Sequence, residues 1–297
     1  MARIVVTFGR MKRLAMLTIL VLGACSAQEM PAPLETSPQA IVNGTRTPQQ
    51  VPLNAGQVMA VGFLHQAGFP GANFCTGTLI APRVVATASH CTEGESPRNM
   101  GFGVGQSPSQ PRASFGVTQI HNHPWLDAAL LILDQDATSR VPELQPIQFN
   151  RQALDSSWRG RQVEAGGFGE TRDPSRDGRW FAVLTLESTG GDYLTVNGNG
   201  SRGICFGDSG GPVFSPNSQG QVVQLAVESN GDSSCVGRDN MTRLDIVGDW
   251  IEQVAGQYLQ DEPPPRDDPP PRDDPPPRDD PPPNGGCGNV PSVGECN

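Results

Sequence analysis

The segment GICFGDSGGP, at residues 203–212, imposes strict requirements on the rest of the chain. Ser209 lies in it among glycines, which let the main chain turn through angles that a side chain would obstruct. A serine hydroxyl is a poor nucleophile at neutral pH, so it needs a base to take its proton and donors to hold the developing negative charge. A tight turn can direct the N–H groups of Gly207 and Ser209 at one point. Asp208 adds a carboxylate that requires a cation if it is buried.

Two other segments contain a candidate base and a second acid. His90 lies in TASHC, and Asp127 is the first residue of DAALL. In chain order the motifs are IVNG at residues 41–44, FCTGTLI at 74–80, TASHC at 87–91, DAALL at 127–131 and GDSGGP at 207–212. In these residues the chain resembles the chymotrypsin/trypsin family of serine endopeptidases. The resemblance extends over about residues 41–258, and five motifs in the family's order make it specific.

The resemblance implies a role for each of these groups. Ser209 would attack a peptide carbonyl, and His90 would take its proton and pass it to the leaving amine. Asp127 would hold the His90 tautomer, and the N–H groups of Gly207 and Ser209 would bind the oxyanion. We therefore expect an exported serine endopeptidase that acts on protein or peptide substrates without a cofactor or a metal. The alternative is a non-catalytic binding protein on the same scaffold.

Short apolar runs between Gly, Pro and Asn turns indicate an all-β fold. The runs lie at residues 58–64, 74–80, 84–88 and 129–133, and then at 162–165, 181–186, 193–196, 212–214 and 222–227. Two sets of strands predict two antiparallel β-barrels with the active site in the cleft between them, and the resemblance implies six strands in each. Residues 245–258 instead repeat apolar side chains at helical spacing, which predicts a C-terminal α-helix packed on the second barrel.

The IVNG segment predicts activation by cleavage. In the resembled family, a cut before such an isoleucine, here Ile41, frees an α-amine that pairs with the acid beside the nucleophile. That amine would supply the cation that Asp208 requires. The residue before the cut is Ala40, so we do not expect a trypsin to make it. This protein could cut itself there if it accepts small residues.

The resemblance also assigns residues to the primary substrate pocket. Gly203 lies where the family places the pocket floor, and its lack of a carboxylate argues against simple trypsin-like selection of Arg or Lys. Ser229 would belong to a wall that pairs with the substrate main chain, and Gly231 would leave the pocket mouth open. Asp239 lies where a second wall approaches the pocket. Its carboxylate would either attract a basic side chain or belong to a solvated loop.

The cysteines indicate an oxidising compartment. Six of the seven form an even set once Cys25 is set aside. The resemblance implies bridges Cys75–Cys91 and Cys205–Cys235, one beside the base and one beside the nucleophile. Cys287–Cys296 would close a short C-terminal loop. No paired Cys or His cluster with metal-ligand spacing is present in the sequence.

Residues 1–24 have the features of a secretory signal peptide, with an apolar run too short to span a bilayer stably. Met11 is an alternative start. The ending LGAC resembles a bacterial lipoprotein box, in which Cys25 would be lipidated and anchor the chain to a membrane, whereas ordinary cleavage would follow Ala27. Residues 25–40 are predicted to be a polar pro-segment or tether. We expect export from a bacterial cell, as an outer-membrane lipoprotein or as a secreted or periplasmic protein.

The C-terminal region differs in composition from the predicted protease domain at residues 41–258. Residues 259–284 contain a Pro-Pro-Pro-Arg-Asp-Asp repeat, which predicts a stiff charged linker, the alternative being a ligand for a proline-binding module. Residues 285–297 would form the disulfide-closed loop. Eight acids and three arginines at residues 261–283 carry half of the net charge of −10, and no basic patch indicates a nucleic-acid partner. We expect a monomer.

Overall fold

The computed structural model describes residues 41–169 and 177–259, and β-strands form its framework. The strands of the first half are β1 (Val61–Gln66), β2 (Phe69–Ala81), β3 (Val84–Thr87), β4 (Met100–Val104), β5 (Ala113–Asn122) and β6 (Ala129–Leu133). Those of the second half are β7 (Gln162–Gly167), β8 (Trp180–Ser188), β9 (Tyr193–Asn197), β10 (Pro212–Pro216), β11 (Val222–Gly231) and β12 (Arg238–Arg243). The α-helices of these ranges are α1 (Ala55–Ala60), α2 (Ala137–Arg140) and α3 (Gly248–Leu259). Within the described ranges, no helix combines the length and the apolar character that crossing a membrane requires.

The strands close into two antiparallel barrels. The first barrel has the order β1-β2-β3-β6-β5-β4, and the second has the order β10-β11-β12-β9-β8-β7. Closure pairs every strand on both sides and leaves no open sheet edge. The predicted fold class, two six-stranded β-barrels with a C-terminal helix, is confirmed.

Each barrel contains a hydrophobic core, and the first core extends to Phe181 and Phe214 of the second barrel. The first core contains large aromatic side chains, among which Phe63, Phe102 and Phe115 are buried. The second core is mainly aliphatic and includes Leu194 and Leu225, which are fully buried. Removal of these apolar surfaces from water is the main favourable contribution to folding. The two packed barrels form a rigid scaffold, on which the loops between them can hold polar groups in fixed positions.

Helix α3 packs on the first barrel, against β3 and β6. The side chains of β6 alternate between two clusters, because Leu131 and Leu133 join the first core while Leu130 and Ile132 join a cluster with residues of α3. The prediction that the C-terminal helix packs on the second barrel is therefore wrong. An uninterrupted apolar strand needs cover on both faces, and α3 provides it on the outer face of β6.

Local chemistry explains where the predicted strands differ from the observed ones. The strand predicted at residues 58–64 is divided between α1 and β1, because Asn54 and Gln57 form a capping box that begins a short helix. Strands β4, β5 and β12 were not predicted. In β4, Gly101 and Gly103 interrupt the apolar pattern, and a Cβ at Gly103 would collide with the ring of Phe63.

A buried ion pair ties β12 to the loops of the second barrel. The Arg243 guanidinium lies 2.6 Å from the Asp245 carboxylate, and the two side chains are 6% and 3% exposed. Arg243 also donates to the carbonyls of Thr189 at 2.5 Å, Gly191 at 3.0 Å and Leu154 at 3.2 Å. This network leaves the buried guanidinium charge both paired and hydrogen-bonded.

We expect Asp245→Ala to lower the free energy of unfolding by about 3–5 kcal/mol, because it leaves the Arg243 charge buried without its partner. Glu143→Ala is the matched control, since it removes the acid of an ion pair with Arg112 whose side chains are 45% and 56% exposed. That loss should not exceed about 1 kcal/mol. Urea unfolding at neutral pH measures both values, and equal effects of the two variants would contradict the prediction.

Candidate active site

The first barrel supplies His90 and Asp127 to the candidate site. His90 lies in the 3-10 turn Ser89–Cys91 that follows β3, and Asp127 lies just before β6. The Asp127 carboxylate accepts from the His90 ring Nδ1 at 2.8 Å and the His90 main-chain N–H at 3.0 Å. It also accepts from Ser89 Oγ at 2.9 Å and from Ser229 Oγ, on β11 of the second barrel, at 2.7 Å. Four donors therefore fix the position of one carboxylate between the two barrels.

These contacts determine the charge states of the pair. Burial acts to raise the pKa of Asp127, but the hydrogen bonds from His90 and Ser229 lower that pKa well below its ordinary value. The hydrogen bond to Asp127 raises the pKa of His90 above its ordinary value, against the effect of burial. Because Nδ1 faces a carboxylate, the proton of neutral His90 lies on Nδ1. Nε2 is then the acceptor nitrogen.

The second barrel supplies Ser209, in the turn before β10. The Ser209 carbonyl accepts from the Thr76 N–H at 2.9 Å and lies 3.6 Å from Cys91 Sγ, so this turn contacts the segment that carries His90. Ser229, which donates to Asp127, lines the same cavity as Ser209. Across the described ranges, no hydrogen bond joins the Ser209 hydroxyl to His90. Hydrogen bonds between catalytic groups are often long in structures without a bound substrate and shorten when substrate binds.

The turn around Ser209 contains two N–H groups that have no acceptor among the described residues. Gly207 has φ +90°, in the region that favours glycine, and a Cβ at Gly210 would collide with Thr87. The N–H groups of Asp208, Gly210 and Gly211 each donate to a main-chain carbonyl at 2.8–3.1 Å. Those of Gly207 and Ser209 have no acceptor in the part of the chain that the structure describes. Both are therefore available to a ligand.

Asp208 is buried at the centre of this turn and is 1% exposed. Its carboxylate accepts from the N–H groups of Ile41 at 3.1 Å, Gly169 at 2.8 Å and Cys205 at 3.0 Å. Burial raises the pKa of Asp208 to about 7, although these three donors act to lower it. The structure thus places the main-chain nitrogen of Ile41 beside the Asp208 carboxylate.

A cavity of about 270 Å³ opens beside Ser209, and Ser229, Gly231 and Asp239 are among the residues that line it. Gly203 does not line this cavity. Its main chain pairs with that of Val42, and a Cβ at Gly203 would lie 2.6 Å from the Cys235 carbonyl oxygen. Glycine is therefore required at position 203 for close main-chain packing.

Sequence reasoning missed three residues of this region. Ser89 is a donor to Asp127, and it could have been suspected because it directly precedes His90. Thr76 donates from Oγ1 to the Gly207 carbonyl at 3.1 Å and receives the Phe168 N–H at 3.0 Å. Glu228 lines the cavity beside Asp239 although it lies within an apolar strand. An acidic residue within an apolar strand could have indicated it, because carboxylates are rarely buried unless they have a partner.

The structure contains two of the predicted disulfides. Cys75–Cys91 and Cys205–Cys235 are both formed, which confirms these pairings. Cys25 and the predicted bridge Cys287–Cys296 lie outside the described residues, as do the predicted signal peptide, pro-segment and linker. The formed bridges flank the segments that carry His90 and Ser209. They constrain both segments in the unfolded and the folded chain.

Comparison with known proteins agrees with this geometry. The family model described as Trypsin matches residues 47–251. The chain belongs to the trypsin family. The predicted relationship to trypsin-like serine proteases is thereby confirmed for the domain that carries His90, Asp127 and Ser209.

Individual members of the trypsin family are distant from this chain. Trypsin 5G1 of Aedes aegypti is 24% identical over 214 residues, which cover 64% of this chain and 78% of that protein. Azurocidin of Homo sapiens is 26% identical over 264 residues, or 82% of this chain and 96% of azurocidin. The solved structure of a human heparin binding protein matches with a TM-score of 0.59 at 23% identity, covering 73% of this chain and 97% of that one. This structural match supports the two-barrel fold.

The histidine pKa values provide a test of the site that does not depend on activity. We expect His90 to titrate above the ordinary value and His65 below it, because His65 is desolvated by burial. Asp127→Asn should lower the pKa of His90, since a neutral amide no longer stabilises the imidazolium. NMR titration of the ring protons measures these values. Asp134→Asn is the control, and a His90 pKa that responds equally to both variants would contradict the assignment.

Proposed function

We propose that this trypsin-family protein is an exported serine endopeptidase that hydrolyses peptide bonds through an acyl intermediate on Ser209. The observation that carries the proposal is the Asp127 carboxylate, held by four donors and bonded to the His90 ring. An arrangement that orients one imidazole so firmly is what a general base requires. The two free N–H groups in the Ser209 turn support the same chemistry.

In the proposed mechanism, the Ser209 oxygen forms a bond to the substrate carbonyl carbon while His90 Nε2 takes the hydroxyl proton. The carbonyl oxygen becomes an oxyanion that the N–H groups of Gly207 and Ser209 bind, a contribution of about 3–4 kcal/mol per donor in related chemistry. The intermediate then breaks its C–N bond, and His90 gives its proton to the leaving amine. A water molecule repeats the sequence on the acyl-enzyme and releases Ser209. This chemistry requires neither a metal nor a cofactor.

The substrate would lie across the cleft with one side chain in the cavity beside Ser209. Ser229 and Gly231 would contact its main chain, and Asp239 would face the side chain. Gly203 would keep the cavity wall in place through its main-chain packing. The formed disulfides favour an oxidising compartment, which supports export as a secreted or periplasmic protein or as a lipoprotein anchored through Cys25.

We expect Ser209→Ala to lower kcat for a peptide substrate by at least about 10,000-fold, because it removes the nucleophile. Circular dichroism should show an unchanged fold. Ser218→Ala, in an exposed turn after β10, is the control and should retain full activity. If the unaltered protein hydrolyses no faster than Ser209→Ala over a broad peptide library, the alternative of a non-catalytic binding protein is favoured.

We further propose that a free α-amine at Ile41 activates the enzyme. Among the described residues, Asp208 has only neutral main-chain donors while Ile41 lies within the chain, and these donors do not offset the burial that raises its pKa. A chain that begins at Ile41 adds a cation at a nitrogen already 3.1 Å from the carboxylate. That ion pair would stabilise the turn that aims the Gly207 and Ser209 N–H groups.

We expect a protein that begins at Ile41 to be at least about 100-fold more active than one that begins at Ala40, if the pair contributes about 3 kcal/mol. The two proteins carry the same terminal charge, but an extra residue keeps it from reaching Asp208. Asp208→Asn in the Ile41 form should lower its activity towards that of the Ala40 form. Steady-state kinetics measures all three, and equal activity of the two chains would refute the activation proposal.

A further inference from the structure

Asp127 reaches His90 from a short connection between two strands of the first barrel. Strand β5 ends at Asn122 and β6 begins at Ala129, and these two residues are paired across the two strands. Residues 123–128 must therefore form a tight loop. The direction of the Asp127 side chain depends on how that loop closes.

His123 closes this loop with both its main chain and its ring. Its main-chain N–H donates to the Ala128 carbonyl at 2.9 Å, and its ring Nδ1 accepts from the N–H groups of Leu126 at 3.0 Å and Trp125 at 3.3 Å. The Ala128 N–H in turn donates to the Leu126 carbonyl at 2.8 Å. Asp127 lies between Leu126 and Ala128, so both of its neighbours in the chain are hydrogen-bonded to His123.

These hydrogen bonds define the charge and the tautomer of the His123 ring. Nδ1 can accept from N–H groups only if it carries no proton, so His123 is neutral with its proton on Nε2. His90 has the opposite tautomer, since its Nδ1 donates to Asp127. Protonation of His123 would place an N–H where an acceptor is required and would leave the partly buried Leu126 N–H without its partner.

The surroundings of the ring favour this neutral form. Burial lowers the pKa of His123, although the negative charge of Asp192, in the turn before β9, acts to raise it. From α3 the ring meets the uncharged indole of Trp250 in an edge-on arrangement, with 5.1 Å between the ring centroids. On β5, the His121 ring is bonded to the Gln119 side chain. A lowered pKa in the folded protein means that the fold favours the neutral ring, and this contribution is present above the ordinary pKa and is lost as pH falls through the lowered one.

Helix α3 supports this loop from the outer side of the first barrel. Trp250 and Leu126 both pack on the cluster of buried side chains that joins α3 to the outer face of β6. The His123 ring lies against Trp250, so the helix limits the positions that the ring can take. Packing of this kind holds a functional group in its productive geometry. A continuous series of contacts therefore runs from α3 through His123 to the loop that carries Asp127.

We propose that His123 is a positioning residue for Asp127. Its neutral ring, held against α3, accepts the N–H groups of the loop and so fixes the direction in which the carboxylate meets His90. This inference rests on the proposed function and adds to it a second imidazole whose charge state controls the first. The described residues that line the cavity beside Ser209 do not include His123, so its effect should appear in kcat rather than in KM.

The consequence is a second protonation that inactivates the enzyme. As pH falls, His90 takes a proton first because its pKa is raised, and His123 follows at lower pH because its pKa is lowered. The first proton removes the general base, and the second releases the loop that holds Asp127. Below the pKa of His123, kcat/KM should therefore show an additional loss of up to about tenfold per pH unit.

The test compares His123→Asn and His123→Leu with the unaltered protein, all beginning at Ile41. Asparagine can accept from N–H groups further along a turn at any pH, whereas leucine cannot. At about pH 8, His123→Leu should lower kcat by about 10–100-fold with little change in KM, and His123→Asn should recover most of the lost activity. The ratio of kcat/KM of the unaltered protein to that of His123→Asn cancels the titration of His90. This ratio should be constant above the pKa of His123 and fall by up to about tenfold per pH unit below it, and a ratio independent of pH would overturn the proposal.

His121→Asn is the matched control, because it removes a nearby imidazole on β5 whose ring is bonded to Gln119. This variant should leave kcat and its pH dependence unchanged. Circular dichroism checks that His123→Leu is folded, and His123→Asn keeps the test valid if it is not. Equal effects of the two asparagine variants at low pH would assign the loss to charge in this region rather than to the loop, and would contradict the proposal.

A measurement without turnover separates this inference from catalysis. In the Ser209→Ala background, NMR titration of the ring protons gives the pKa of His90. We expect His123→Leu to lower that pKa by about 0.5–1 pH unit, because Asp127 is held less firmly, while His123→Asn and His121→Asn leave it unchanged. If the pKa of His90 responds in this way but the unaltered protein hydrolyses no peptide, the positioning is established and the proposed function is wrong. Hydrolysis by the unaltered protein, together with a His90 pKa that does not respond to His123→Leu, refutes the positioning alone.

Discussion

The Asp127 carboxylate links the two barrels, and the geometry of the candidate site depends on it. Ser89 and His90 reach it from the first barrel, while Ser229 reaches it from the second. A partly buried carboxylate is favourable only where donors replace its lost hydration, so the barrels must close around Asp127 in one relative position. That position brings the Ser209 turn against the segment that carries His90. The hydrogen bonds to Asp127 that order the cleft also set the His90 tautomer. The contact between His90 Nδ1 and the Asp127 carboxylate therefore contributes both to the stability of the cleft and to its chemistry.

Three more deeply buried acids extend this principle and differ in how their charge is met. Asp208 has three main-chain donors and lacks only a cation, which a free amine at Ile41 would supply. Among the described residues, Glu228 Oε2 and Asp239 Oδ2 have no hydrogen-bond partner, and both acids line the cavity beside Ser209. Burial raises the pKa of both groups, so each favours its protonated form more than an exposed acid does.

The sequence was sufficient for the fold class and for the segments of the site, because tight turns and apolar runs carry local signals. Strand β6 followed from such a signal, whereas the two disulfide pairings followed from the family resemblance. Strand β4 did not, since its glycines are required by aromatic rings that come from elsewhere in the chain. The packing of α3 was missed because helical periodicity identifies an apolar face without naming its partner. Glu228 was missed for the same reason. Its position beside Asp239 in the cavity depends on the register of β11 and β12, which the sequence does not give.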